Sequence, residues 1–276
     1  MKLAITTLGC CEWSLNKVVG YFKDLGVYGI EVRAISDIME LSEIDCLNEE
    51  NALGTKKYLR ANGMKLVCLD TSCKFDNSEL AQKYIPEGKN AIDIAARMDI
   101  PYIRVFGNHI PEIGEAKRNE LEALMINSLR ELSDYAETKG VKVLLETHGN
   151  ICNIENIKNT VEALSDHKGF GILWDIAHSD VYYKENIEDF YNLIKPLLCH
   201  VHMKDHLRLP NLGKDIKDIG EGEIPIEKIV KLLLSDGYDG YFSFEHERKW
   251  HPDLSEPEVA FPKFVEYMKA FEETNG

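Results

Sequence analysis

Eight consecutive residues, CHVHMKDH at 199–206, hold three imidazoles, an ammonium and a carboxylate. In an extended chain the side-chain period of two puts His200 and His202 on one face and Cys199 and Val201 on the other. Three further apolar runs stop on an acid: LLETHGN at Glu146, LWDIAHS at Asp175 and FSFEHE at Glu245. In the last, Phe242 and Phe244 alternate with Ser243 and Glu245, so the rings and the polar groups point opposite ways. Three carboxylates converging beside an imidazole repel one another and resist desolvation unless a positive charge sits between them. A divalent cation supplies that charge. Oxygen-rich ligation with one imidazole suits Mn²⁺, with Mg²⁺, Co²⁺ or Zn²⁺ as alternatives. The other reading is of separate strand-end residues, each solvated or ion-paired on its own.

Convergence requires elements that bring these residues to one place. Strand-like runs fall at 3–8, 29–33, 65–69, 102–106, 141–147, 170–175, 199–203 and 240–245, eight in all. Between them lie apolar residues at helical spacing, such as Leu15, Val18, Val19 and Phe22, or Ile226, Ile229, Val230 and Leu233. Glycines in KDLGVYG, RANGMK, ETKGVK and SDGYDGY mark the helix ends. Strict β-α alternation with near-continuously apolar strands implies a parallel sheet covered on both faces. Eight such units predict a single-domain (β/α)₈ TIM barrel over 1–276. A doubly wound open sheet is the alternative, but no G-x-G-x-x-G follows the first strand. In a barrel the active site lies at the C-terminal strand ends, where Glu146, Asp175, His202 and Glu245 fall. His148 shares parity with Glu146 and is placed to reach a substrate. Glu31 and Asp70 close strands two and three and are candidates to line the pocket. His200 reads as a hydrogen-bonded histidine of the barrel wall, and His246 points away from the site. Trp13 and Trp250 are read either as apolar walls or as packing on neighbouring helices.

A net charge of −15 repels polyanions and argues against nucleic acid as a partner. Seven cysteines with no C-x-x-C pair argue against a disulfide framework and a structural zinc site. No apolar stretch approaches the roughly 18 residues of a membrane span, and MKLAITTLGCCEW lacks the layout of a signal peptide. A soluble, cytoplasmic protein is expected, with homo-oligomerisation left open.

LLETHGN, WDIAHS, HVHMKDH, GEGEIP and FSFEHERKWHP resemble motifs of the sugar phosphate isomerase/epimerase superfamily, the xylose isomerase-like TIM barrels. Order and spacing match over most of the chain, with 29, 27 and 43 residues separating Glu146, Asp175, His202 and Glu245. The resemblance implies one divalent metal on those four residues and a small-molecule substrate, a ketose, sugar phosphate or related polyol, chelating it through adjacent oxygens. It also implies that Glu146 and Glu245 move a carbon-bound proton through an enediolate. His178 matches a position that contacts substrate, Arg208 one that grips a substrate hydroxyl, and Lys204 the H-x-K-D form of inosose isomerase and dehydratase relatives. Each has a plainer role open to it: His178 as a cap of the following loop, Arg208 as a surface residue, Lys204 as the partner of Asp205.

The resemblance brings rivals as well. AP endonucleases of the superfamily need further histidines after strands two, three and seven, and VRAISD, LDTSCKF and GKDIKDIGEGEIP contain none. A dehydratase acting on a keto-inositol shares the same carbanion chemistry, and a non-catalytic sugar-binding protein is the remaining alternative. No phosphate site stands out: NHIPEIGEAKRNE offers Lys117 and Arg118, which serve equally as a solvated helix start.

Overall fold

The computed structural model describes residues 1–107 and 114–273. Along them run β1 (Lys2–Thr6), α1 (Leu15–Leu25), β2 (Gly29–Val32), α2 (Ala52–Ala61), β3 (Lys65–Asp70), α3 (Ser78–Met98), β4 (Tyr102–Phe106) and α4 (Glu115–Lys139). Then follow β5 (Lys142–Glu146), α5 (Ile154–Leu164), β6 (Phe170–Asp175), α6 (Ile176–Tyr183), α7 (Ile187–Ile194) and β7 (Leu198–Met203). The last stretch holds β8 (Asp205–Leu209), β9 (Gly213–Lys217), α8 (Ile226–Ser235), β10 (Tyr241–Phe244) and α9 (Pro257–Glu273). Eight parallel strands close in the order β1-β10-β7-β6-β5-β4-β3-β2, and β2 pairs back onto β1. The fold is the expected TIM barrel.

The helices form where the sequence marks them. Ser14 caps α1 by accepting from the Lys17 amide, and Val18, Val19 and Phe22 turn inward. Gly26, Gly63, Gly140 and Gly237 all have φ between 71° and 77°, the left-handed region that lets a helix stop sharply. The apolar core lies between barrel and helices and holds Phe22, Phe170, Trp174, Phe190, Phe242, Phe261 and Phe264, each essentially inaccessible. Burying a side chain of this size stabilises the fold by about 1.5–3 kcal/mol. Trp13 belongs to this layer, against Tyr21 and Phe261, whereas Trp250 is exposed in the segment after β10. All seven cysteines are free. Among the described residues no helix is long and apolar enough to cross a membrane.

Two local expectations need correction. β1 stops at Thr6, short of residue 8, because the Thr6 hydroxyl accepts from the Leu8 amide at 3.3 Å and the chain curls into a 3₁₀ turn. β7 leads into the antiparallel hairpin β8–β9 before any helix. Asp205 organises the return from that hairpin, accepting from the amides of His206, Gly220, Gly222 and Ile224. A Cβ on Gly222 would lie 2.1 Å from Asp205 Oδ1, so this approach requires glycine.

Candidate metal centre

Four strand ends bring the four expected ligands together: Glu146 closes β5, Asp175 closes β6, His202 lies in β7 and Glu245 follows β10. One ligand atom of each lies within 4.8 Å of the others. Register is the cause. Asp175 pairs with His202 across β6–β7, and His202 with Ser243 across β7–β10, so the side chains of one parity all project to the barrel axis. Glu245, although past the end of its strand, still donates its amide to Met203 O. All four side chains are buried.

Hydrogen bonding assigns an atom to each task. His202 Nε2 lies 3.0 Å from Glu31 Oε1, and a carboxylate only accepts, so Nε2 carries the proton. Nδ1 then faces Glu245 Oε2 at 3.0 Å and Glu146 Oε1 at 3.6 Å. A carboxylate behind a histidine in this way fixes the tautomer and ring orientation of a metal ligand. Asp175 Oδ1 caps α6, accepting from Ala177 and His178 amides at 2.8 and 3.1 Å. Asp175 Oδ2, Glu146 Oε2, His202 Nδ1 and Glu245 Oε2 are buried without a hydrogen-bond partner, one atom from each of the four residues. Buried atoms that no hydrogen bond satisfies are costly, and although Lys204 and Arg104 lie against three of them, three carboxylates and an imidazole nitrogen converging on one point fit a divalent cation.

The protein's own cations already approach this cluster. Lys204 Nζ lies 2.7 Å from Asp175 Oδ2 and 2.5 Å from Glu245 Oε2, and it also contacts Glu247. Lys204 therefore serves the cluster and does not pair with Asp205. Arg104, buried in β4, places Nε 3.1 Å from Glu146 Oε2 and 3.5 Å from Asp70 Oδ1. Burial alone would neutralise these groups, but mutual charge outweighs it. His202 and Lys204 hold Glu245 well below the usual carboxylate range, Lys204 and then His178 do the same for Asp175, and Glu245 and Glu31 push His202 well up. Asp70 goes the other way: burial and then Glu31 raise its carboxyl well above that range.

The remaining expected residues take up distinct positions. His178 is buried, with Nδ1 accepting from the Gly149 amide at 3.0 Å and Lys214 Nζ against the ring, 2.9 Å from Nε2 and 3.4 Å from Nδ1. His148 is exposed at the barrel mouth, its ring 3.9 Å from that of His178, and lines a cavity of about 310 Å³ with Phe106, Gly149 and Asn150. Arg208 sits on β8 and grips buried Asp180 through Nε and Nη2 at 2.9 and 2.8 Å. His200 donates to Glu31 at 2.9 Å within the barrel wall, and His246 turns outward to Ser255 O at 2.8 Å, both as their parity requires. Glu31 and Asp70 lie inside the barrel rather than at its rim. Lys117 and Arg118 pair with Glu120 and Glu155; the first part of that stretch, 108–113, lies outside the described residues. Arg104, Glu247 and Lys214 were not foreseen. Only Arg104 carried a signal, a charge in the middle of the apolar run YIRVF.

Comparison with known proteins follows the same lines. A family model described as "Xylose isomerase-like TIM barrel" matches residues 19–270. An inosose isomerase from Halalkalibacterium halodurans is 27% identical over 270 residues, covering 94% of this chain and 92% of that protein. A fructoselysine 3-epimerase from Shigella flexneri is 24% identical over 188 residues, 66% of this chain and 64% of that one. Among solved structures, the IOLI protein with a bound zinc atom superposes with a TM-score of 0.78 at 20% identity, covering 99% of this chain and 96% of that chain. With its closed barrel, its cluster of acids and histidine and this match, the chain belongs to the xylose isomerase-like TIM barrel family.

Proposed function

We propose that the protein is a metal-dependent isomerase or epimerase of a ketose, sugar phosphate or related polyol, working by proton transfer through an enediolate. The observation that carries this reading is the pair of buried glutamates, Glu146 and Glu245, facing one imidazole nitrogen at 3.6 and 3.0 Å from strands with two others between them. A carbon-bound proton beside a carbonyl leaves only if a base stands by it and the developing oxyanion is stabilised. A divalent cation held by Glu146, Asp175, His202 and Glu245, Mn²⁺ on our reading, would supply the positive charge that polarises the carbonyl. One glutamate takes the proton. The other returns a proton, to the opposite face for an epimer or to the neighbouring carbon for an isomer. His202 and Lys204 keep Glu245 ionised, the state in which it can take up a proton. Lys204, His148, His178 and Arg208 are the proposed substrate-facing set, and kinship with an inosose isomerase puts keto-inositols among the substrates to try.

Dehydration of an inosose is the second reading. It is favoured by the contact of Lys204 Nζ with Glu245 Oε2 at 2.5 Å, which sets a proton donor for a leaving hydroxyl beside the base that makes the carbanion.

The test is a screen of ketoses, their phosphates and inososes with metal-loaded enzyme in D₂O. Isomerisation or epimerisation yields a product of unchanged formula carrying deuterium beside the carbonyl, whereas a dehydratase accumulates a product lighter by one water. Glu146→Gln and Glu245→Gln should each lower turnover by about 10²–10⁴-fold while part of the metal is retained. Nicking of abasic DNA with no sugar turnover would overturn the reading.

A further inference from the structure

The end of the barrel opposite the metal centre holds a cavity of about 610 Å³, a usual size for a small-molecule site. Lys2, Lys65 and Tyr241, which line it, open β1, β3 and β10. Strand pairing explains why the barrel gapes there. β3 runs beside β2 from Lys65 upward, but it pairs with β4 only at Leu69↔Ile103 and Asp70↔Arg104, so the lower half of β3 parts from that neighbour. Pro101, just below this pairing, lines the cavity and has no N–H with which to extend the ladder.

Two kinds of surface meet in the gap. The walls are apolar and buried, with Leu59 from α2, Met64 and Leu66 from the start of β3, and Met98 from the end of α3. Half-buried Tyr241 adds a ring, and the thioethers of Met64 and Met98 are adaptable partners for another aromatic ring. The rim is cationic. Lys2, Lys56, Arg60 and Lys65 face a single acid among the lining residues, Asp99, on a chain whose net charge is −15. Lys56 Nζ and Arg60 Nη2 share one oxygen of Asp99 at 3.1 and 3.3 Å, and Lys2 Nζ meets Asp239 at 2.6 Å. Among the described residues Lys65 has no ion-pair partner, so the cations outnumber the carboxylates that meet them. The pairs lie at the surface, where an ion pair contributes little and its cation turns readily to a new partner.

We infer that this cavity is a second binding site, for a small organic phosphate with a flat aromatic body, the chemistry of a free nucleotide. The ring enters between Met64, Met98 and Tyr241. The phosphate stays at the rim, where Lys65 and Arg60 donate to its oxygens. A phosphate suits the rim better than a carboxylate, since its terminal oxygens accept from several cations at once and both the arginine fork and the lysine point charge match it. The metal centre lies at the other end of the strands, so the occupant does not compete with a substrate there, and the inference does not rest on the reaction assigned to that centre.

The experiment is isothermal titration of the intact protein, dialysed free of metal, with AMP. The wild type should bind AMP saturably, and adenosine and inorganic phosphate, which lack the charge and the ring respectively, should each bind at least about tenfold more weakly. Lys65→Ala should weaken AMP about tenfold and the double variant Arg60→Ala/Lys65→Ala about 100-fold, as successive loss of hydrogen bonds to a charged group predicts. Both side chains are exposed, so the thermal midpoint should hold. Lys249→Ala, on the segment after β10 at the barrel mouth, is the control and should bind AMP normally. Asp175→Ala should also bind as the wild type does. No saturable AMP binding, unchanged affinity in the double variant, or adenosine or inorganic phosphate binding as tightly as AMP would each overturn the inference. Loss of AMP by Asp175→Ala would overturn it too, by moving the nucleotide to the metal centre.

Discussion

Two polar layers stacked inside the same barrel differ in how their hydrogen bonds close. In the lower one, both oxygens of Glu31 are engaged, by His202 at 3.0 Å, by His200 at 2.9 Å and by the hydroxyl of Ser243, with His200 Nδ1 left without a hydrogen bond. In the upper one, Glu146, Asp175, His202 and Glu245 each leave one buried atom without a hydrogen bond. His202 belongs to both, one nitrogen in each. A buried polar group is tolerated when paired and costly when not, so the closed layer reads as framework and the open one as a site for a ligand. Burial alone does not separate them, since both are almost wholly inaccessible.

Breaking the open layer has the largest expected effect on function. Asp175→Ala or His202→Ala should abolish metal binding and turnover together, with the far-ultraviolet circular dichroism of the barrel retained. Asp175→Asn sharpens the point, because it keeps an oxygen to cap α6 while losing the charge that holds the ion. It should be about 1 kcal/mol more stable than Asp175→Ala and equally inactive. Full metal stoichiometry in Asp175→Ala and His202→Ala would move the centre elsewhere.

Breaking the closed layer should cost stability first. Glu31→Ala leaves two buried imidazoles and a hydroxyl without their acceptor, a loss of about 3–5 kcal/mol by denaturant titration. Because Glu31 also sets the tautomer of His202, the surviving folded protein should bind metal about 10–100-fold more weakly. Unchanged metal affinity would make Glu31 purely structural.

The histidine shared by the two layers predicts a pH dependence. In the metal-free barrel Glu245 and Glu31 overcome burial and raise the His202 pKa, so its protonated form stabilises the fold. That contribution is complete below about pH 6.5, the ordinary histidine value, and is lost as pH rises through the elevated one. Metal needs Nδ1 bare, so affinity should climb by about tenfold per pH unit over the same window. Calorimetry in buffers of different ionisation enthalpy should find one proton released per ion bound; none released would mean that His202 is not a ligand.

The open layer was more legible in the sequence than the closed one, for a physical reason. Glu146, Asp175 and Glu245 interrupt apolar runs at strand ends, and a period of two with β-α alternation is enough to converge them. The partner of His200 was not legible, because Glu31 lies 169 residues away and meets it only through barrel closure. Lys214 and Glu247 stand on segments whose paths depend on tertiary contacts, β9 through its pairing with β8 and Glu247 through Lys204. The hairpin escaped notice since KDHLRLPNLGKDIKD alternates too weakly to announce two strands.

The smallest expected effect lies at the edge of the open layer, where Arg208 meets Asp180. Its guanidinium engages both carboxylate oxygens, and His206 Nε2 reaches Oδ2 at 3.0 Å, so the pair ties β8 to α6 beside the mouth. A bidentate fork is specific to arginine, and lysine cannot reproduce it. If Arg208 serves only this tie, Arg208→Ala should lower stability, with His206 still holding Asp180, and leave the Michaelis constant alone. If it also grips a hydroxyl remote from the reacting carbon, kcat/KM for the best substrate should fall by about tenfold with metal content intact, as loss of one hydrogen bond to a charged group predicts. Removing that hydroxyl from the substrate should then cost the wild type about tenfold and the variant almost nothing. Equal losses in both proteins would return Arg208 to the framework and leave the open layer to the residues that surround the ion.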